Sequence, residues 1–208
     1  MQGKPYKLIE LFVIFIVIPI SFAINYLPLI KLSIGIVGFL YIGFVLFRIE
    51  KVKFKVNKGL PWSRFLKQTM LKLCIIVFIT TCYVWIFDQA NLFQVLLNNP
   101  LLWIFILFIY SFFSVYPQEL IYRTFFFHRY QNLFKSERLF IFINAIVFSL
   151  AHLFFRNALV VVLTFLGGIL FALTFQKTKS TLLVSIEHAI YGCWLFTVGM
   201  GNMLGFPS

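Results

Sequence analysis

Three ionisable positions lie in apolar surroundings: Glu119 with Arg123 in the run YPQELIYR, His152 in FSLAH, and His188 in SIEHAIYG. At membrane depth a charged side chain costs on the order of 2 to 3 kcal/mol even on lenient insertion scales, so such groups face one another or a water-filled cavity. A carboxylate and two imidazoles on three separate segments are enough to activate one water, one group taking the proton while others meet the developing charge. Glu119, His152 and His188 are also the set that could ligate a divalent metal such as zinc, since three protein ligands and an open position suit hydrolysis. The residue types leave the metal open.

Each position also has a structural alternative. Glu119 and Arg123 stand four apart on one helical face and could form an ion pair that lets both charges be buried. Asn144, Phe148 and His152 form a stripe at four-residue spacing, where a single histidine is often a hydrogen-bonded interior residue. In the last apolar run Thr181, Ser185, His188 and Gly192 make a small and polar face, with the carboxylate of Glu187 about 100° round the helix from His188.

The elements that must position these groups are membrane spans. The chain is 62% hydrophobic, 20% aromatic with 29 Phe, and only 12% charged, far more apolar than a soluble core of this size requires. A spanning helix needs about 20 apolar residues, and seven runs qualify, at 8–30, 32–48, 69–87, 100–130, 138–155, 158–176 and 180–199. The expected fold is an all-α polytopic membrane bundle, a single integral-membrane domain over 1–208. The first run is too long, and lacks the small-residue cleavage pattern, for a removable signal peptide.

The net charge of +12 follows topology rather than one recognition face. Lys4 and Lys7 precede the first span; Arg48, Lys51, Lys53, Lys55, Lys58, Arg64, Lys67 and Lys72 crowd the loop after the second; Arg129, Lys135 and Arg138 follow the fourth; Lys177 and Lys179 precede the seventh. Lys31 and Arg156 fall on the opposite side. The positive-inside rule then places the N-terminus in the cytoplasm and the C-terminus near Ser208 outside, with Trp62 as an interfacial anchor against anionic lipid. Cations spread over four loops argue against nucleic acid as a partner. Cys74, Cys82 and Cys193 all lie in spans without CxxC spacing, and read as small apolar side chains.

Two features shape the candidate site. A helix over 100–130 would be about 46 Å long, and Pro117 inside it removes one backbone hydrogen bond immediately before Gln118 and Glu119. Counted from the cytoplasmic ends at 1.5 Å per residue, Glu119 lies about 15 Å deep, His188 about 12 Å and His152 about 21 Å, so convergence of all three needs a tilt or a later helix start. Gly167, Gly168 and Ala172 mark close helix packing in the sixth span.

Over about 100–200 the chain resembles the CAAX-protease and bacteriocin-processing (CPBP, Abi) family of intramembrane proteases. That family's marks are two adjacent Glu with Arg four residues on, Phe with His four on, and His with Asn four on. They read here as Gln118-Glu119 with Arg123, Phe148 with His152, and His188 with Gly192, in the family's order. The resemblance implies endopeptidase hydrolysis of membrane-associated, prenylated or peptide substrates in a multi-pass protein of the bacterial plasma membrane. Glu and one His would activate water, while the other His and the Asn would bind or polarise the carbonyl. Here an amide stands at Gln118 and no side chain at Gly192, so Glu119 or Glu187 must supply the carboxylate. The alternatives are a catalytically silent member that binds a membrane partner, as in bacteriocin immunity, and a transporter using the buried groups as a proton relay. Neither the substrate's identity nor the oligomeric state is legible.

Overall fold

A computed structural model describes residues 3–52 and 62–205. Lys53, Lys55 and Lys58 of the basic run, and Ser208, lie outside the described residues. All regular structure among the described residues is helical, and seven helices are long and apolar enough to cross a membrane: α1 Lys4–Phe22, α2 Pro28–Ile49, α3 Trp62–Phe87, α4 Pro100–Leu133, α5 Glu137–Phe155, α6 Ala158–Thr178 and α7 Thr181–Val198. This bears out the all-α, seven-span expectation.

Local chemistry sets the ends. Proline occupies the first turn of α1, α2 and α4, where its missing N–H costs nothing. Asn99, Ser136 and Ser180 accept from the backbone N–H groups of Leu102, Leu139 and Leu183, capping α4, α5 and α7. α1 ends earlier than the hydrophobic run suggested, because the chain turns before Pro28. α3 begins at Trp62 instead of near 69, since its first turns carry Ser63, Arg64, Lys67 and Gln68, which lower hydropathy without breaking the helix. Arg64, Lys67 and Lys72 are therefore helical, a correction to the loop assignment.

The apolar excess is mostly on the outside. Leu29, Phe78, Phe87 and Leu101 are each more than 70% exposed, the pattern expected where lipid rather than protein covers the helix.

Backbone contacts divide the chain into two compact units. The first takes Met1–Val56 and Leu120–Gln176. At its centre Phe15, fully buried, meets the rings of Tyr122, Phe126 and Tyr130 edge-on at 5.0 to 5.9 Å and Phe125 stacked at 6.2 Å. Gly168 lets α6 approach α5 closely, since a Cβ there would come within 3.0 Å of the Ala145 Cα. Lys31 donates to the Phe22 carbonyl and Arg156 to that of Ala23. The two cations assigned to one side thus cap the same turn.

The second unit takes Asn57–Glu119 and Lys177–Ser208. Its core is Val95, Ile106, Tyr110, Val115 and Phe196. Indole N–H groups tie it together: Trp103 donates to Thr197 Oγ1 at 3.0 Å and Trp194 to Thr80 Oγ1 at 2.8 Å.

Candidate active site

Pro117 does not break α4. The ladder instead widens to π-helix at Tyr110–Val115 and again at Leu120–Phe125, with one turn of α-helix, Tyr116–Glu119, between. Such widened turns often accompany functional sites because they re-aim side chains without ending the helix.

In the second unit this aims Glu119 at α7. Glu119 is fully buried, His188 is 6% exposed, and His188 Nδ1 lies 2.7 Å from Glu119 Oε1. An imidazole N–H donating to a carboxylate fixes the tautomer that carries its lone pair on Nε2. The two residues are 69 apart in sequence, and the contact brings the motif residues of α4 and α7 side by side.

Glu187, one residue before His188, is bound elsewhere. Its Oε1 accepts from Lys72 Nζ at 2.7 Å and from the Tyr191 hydroxyl at 2.9 Å, and Tyr191 also contacts the Thr69 carbonyl oxygen. Glu187 Oε2 is buried without a hydrogen bond among the described residues. Successive helical residues point about 100° apart, which is why the two neighbours serve different partners. Gln118 donates to Ser114 Oγ at 2.8 Å, a contact within its own helix.

Gly192 stands one turn beyond His188. A Cβ there would lie 2.0 Å from the Tyr110 hydroxyl oxygen and 2.3 Å from its Cζ. The phenol fills the space a side chain at 192 would need.

The first unit holds the remaining motif residues. Arg123 is fully buried and donates to Asn144 Oδ1 at 2.8 Å, to the Tyr122 carbonyl at 3.3 Å and to the Gly168 carbonyl at 3.5 Å. Its guanidinium lies over the rings of Phe148 at 4.7 Å and Phe171 at 5.8 Å. Asn144 Nδ2 in turn donates to the Tyr122 carbonyl at 2.7 Å. Carbonyl dipoles, an amide oxygen and two π faces together replace the hydration of this cation. Asn144 and Phe148 thereby acquire roles as supports of Arg123. His152, at the end of α5, places Nδ1 2.8 Å from the Phe148 carbonyl oxygen and packs on that ring at 4.9 Å.

A second polar cluster of the first unit escaped the sequence analysis. Arg129, taken there as a loop cation, is buried, and its guanidinium binds Glu10 Oε2 and Glu50 Oε1, each at 2.7 Å. Tyr130 also donates to Glu10 Oε2, at 3.1 Å. The signal that could have found it is the one used for Glu119: Glu10 is a lone carboxylate inside an apolar run.

Among the described residues no group of three His, Cys, Asp or Glu side chains could hold a metal ion, and Glu119 and His188 are already bonded to each other. This donor set does not fit the zinc site that the residue types left open.

Residues 100–194 match the Rce1-like family, described as Type II CAAX prenyl endopeptidase Rce1-like, which bears out the resemblance drawn from the three motifs. The match points to an endopeptidase of the CAAX kind and to a multi-pass membrane protein. No curated protein and no solved structure matches the chain.

Proposed function

We propose that this chain is an intramembrane endopeptidase that hydrolyses a peptide bond near a prenylated or otherwise membrane-held C-terminus, with Glu119 and His188 as its acid–base couple. The observation that carries this is the 2.7 Å contact between His188 Nδ1 and Glu119 Oε1 in a buried setting. The carboxylate orients the ring and stabilises the imidazolium formed when water transfers a proton to Nε2. The resulting hydroxide adds to the carbonyl carbon. The proton then passes from the imidazolium to the departing nitrogen, the C–N bond breaks, and an acid and an amine are released.

This assignment removes the difficulty posed by Gln118. An amide cannot accept the proton, but the imidazole can, so the couple needs only one carboxylate. Glu119 is preferred to Glu187 because Lys72 and Tyr191 hold the latter. Arg123 supports the fold around its π turn. The lipid bilayer and a membrane-associated peptide are the partners, and a bacterial plasma membrane with the N-terminus in the cytoplasm is the setting.

The experiment is reconstitution in proteoliposomes with two fluorogenic peptides, one farnesylated at its C-terminal cysteine and one bare. Wild-type protein cleaves the prenylated peptide, and His188→Ala lowers the rate by about 10²- to 10⁴-fold, the usual scale for a lost acid–base group. Absence of cleavage by well-folded wild-type protein would return the chain to a binding or immunity role.

A further inference from the structure

Tyr110 stands in none of the three motifs. We propose that Tyr110 is a further catalytic residue: its phenolic O–H donates to the carbonyl oxygen of the scissile bond and to the oxyanion that forms there. This rests on the protease function proposed above.

Tyr110 opens the first π turn of α4 and is 9% exposed. Its hydroxyl oxygen lies 2.0 Å from where a Cβ on Gly192 would be, so it overhangs the backbone of α7 one turn from His188. Side chains four apart on a helix have Cβ atoms roughly 5 to 6 Å apart. The hydroxyl therefore reaches the point that a side chain at 192 would occupy, on the same face as the imidazole. A carbonyl accepting from Tyr110 would put its carbon within range of a water beside His188.

The second element is rigidity. The ring packs edge-on against His188 at 6.0 Å and 82°, and against Phe196 at 4.8 Å and 73°. Tyr110 also packs in the core with Val95, Ile106, Val115 and Phe196, so packing fixes the ring and the direction of its C–O bond, while the hydroxyl hydrogen can turn toward an acceptor. A preorganised neutral donor in a low-dielectric site strengthens its bond as the carbonyl oxygen gains charge, which accelerates the step without any proton leaving the phenol. Gly192 is the counterpart of this arrangement. Any larger residue there displaces the ring.

Tyr110→Phe isolates the oxygen, because the ring and both edge contacts remain. Expected are a kcat lower by roughly 10²- to 10³-fold, the scale for removal of one oxyanion donor, an unchanged KM and an unchanged melting temperature. A substrate-derived peptide aldehyde, hydrated to a tetrahedral mimic, should lose affinity by a similar factor, whereas the uncleaved peptide should not. A variant that turns over like wild type, or one whose loss appears only in KM or in thermal stability, overturns the role of Tyr110 and leaves the Glu119–His188 couple standing. If the wild type neither cleaves nor binds the aldehyde, and His188→Ala behaves identically, the protease function itself fails and the role of Tyr110 falls with it.

Discussion

Glu119→Gln and Glu187→Gln, made separately, ask which of two fully buried carboxylates acts in catalysis. In both variants the amide oxygen can still accept the hydrogen bonds made at Oε1, from His188 in one and from Lys72 and Tyr191 in the other, so the comparison isolates the negative charge. At 119 the charge is needed to stabilise the imidazolium, and its loss should slow turnover by about 10²- to 10⁴-fold, or about 2.7 to 5.4 kcal/mol of barrier. At 187 the charge is needed by Lys72, whose side chain is 30% exposed. Water offsets part of that loss, so the cost to stability is about 1.5 to 3 kcal/mol, below the 3 to 5 kcal/mol of a fully buried pair. For a chain of this size that is a melting shift of roughly 3 to 12 °C. Initial rates at saturating prenylated peptide, with melting curves in the same detergent, separate the two effects. The reasoning is refuted if Glu119→Gln keeps the wild-type rate, or if folded Glu187→Gln loses as much.

Arg123→Ala should lower stability by about 1 to 3 kcal/mol or more, because it leaves the buried oxygen of Asn144 and the carbonyls of Tyr122 and Gly168 without their donor; an unchanged melting temperature would deny it that role. Gly168→Ala should cost about 1 to 3 kcal/mol through overpacking against the Ala145 backbone. Gly38→Ala, where a Cβ would meet nothing within 4 Å, should be neutral or stabilise by up to about 1 kcal/mol, and equal melting curves for the two would contradict the packing argument. Reporter fusions should find the N-terminus in the cytoplasm and the C-terminus outside; both ends on one side would mean an even number of spans.

The spans and the two motifs that pair were legible because they rest on one-dimensional signals. Twenty apolar residues demand a helix in lipid, and Glu119 and His188 stood out because burial of either needs compensation. The ends of α1 and α3 were less legible, since hydropathy grades composition and not the turn that ends a helix or the polar turn that begins one. Partners were not legible at all. The sequence offered Glu119 and Glu187 as equivalent carboxylates and placed Lys72 and Arg129 in loops, while the structure gives Glu119 to His188, Glu187 to Lys72, and Arg129 to Glu10 and Glu50. Gly192 looked like a missing side chain until Tyr110, 82 positions earlier, was found in its place. Period and burial cost are properties of one segment and can be read along the chain. Which neighbour satisfies a buried charge or fills a gap depends on helix rotation, on the widened turns around Pro117 and on close approach between helices, and those are settled only when the helices pack.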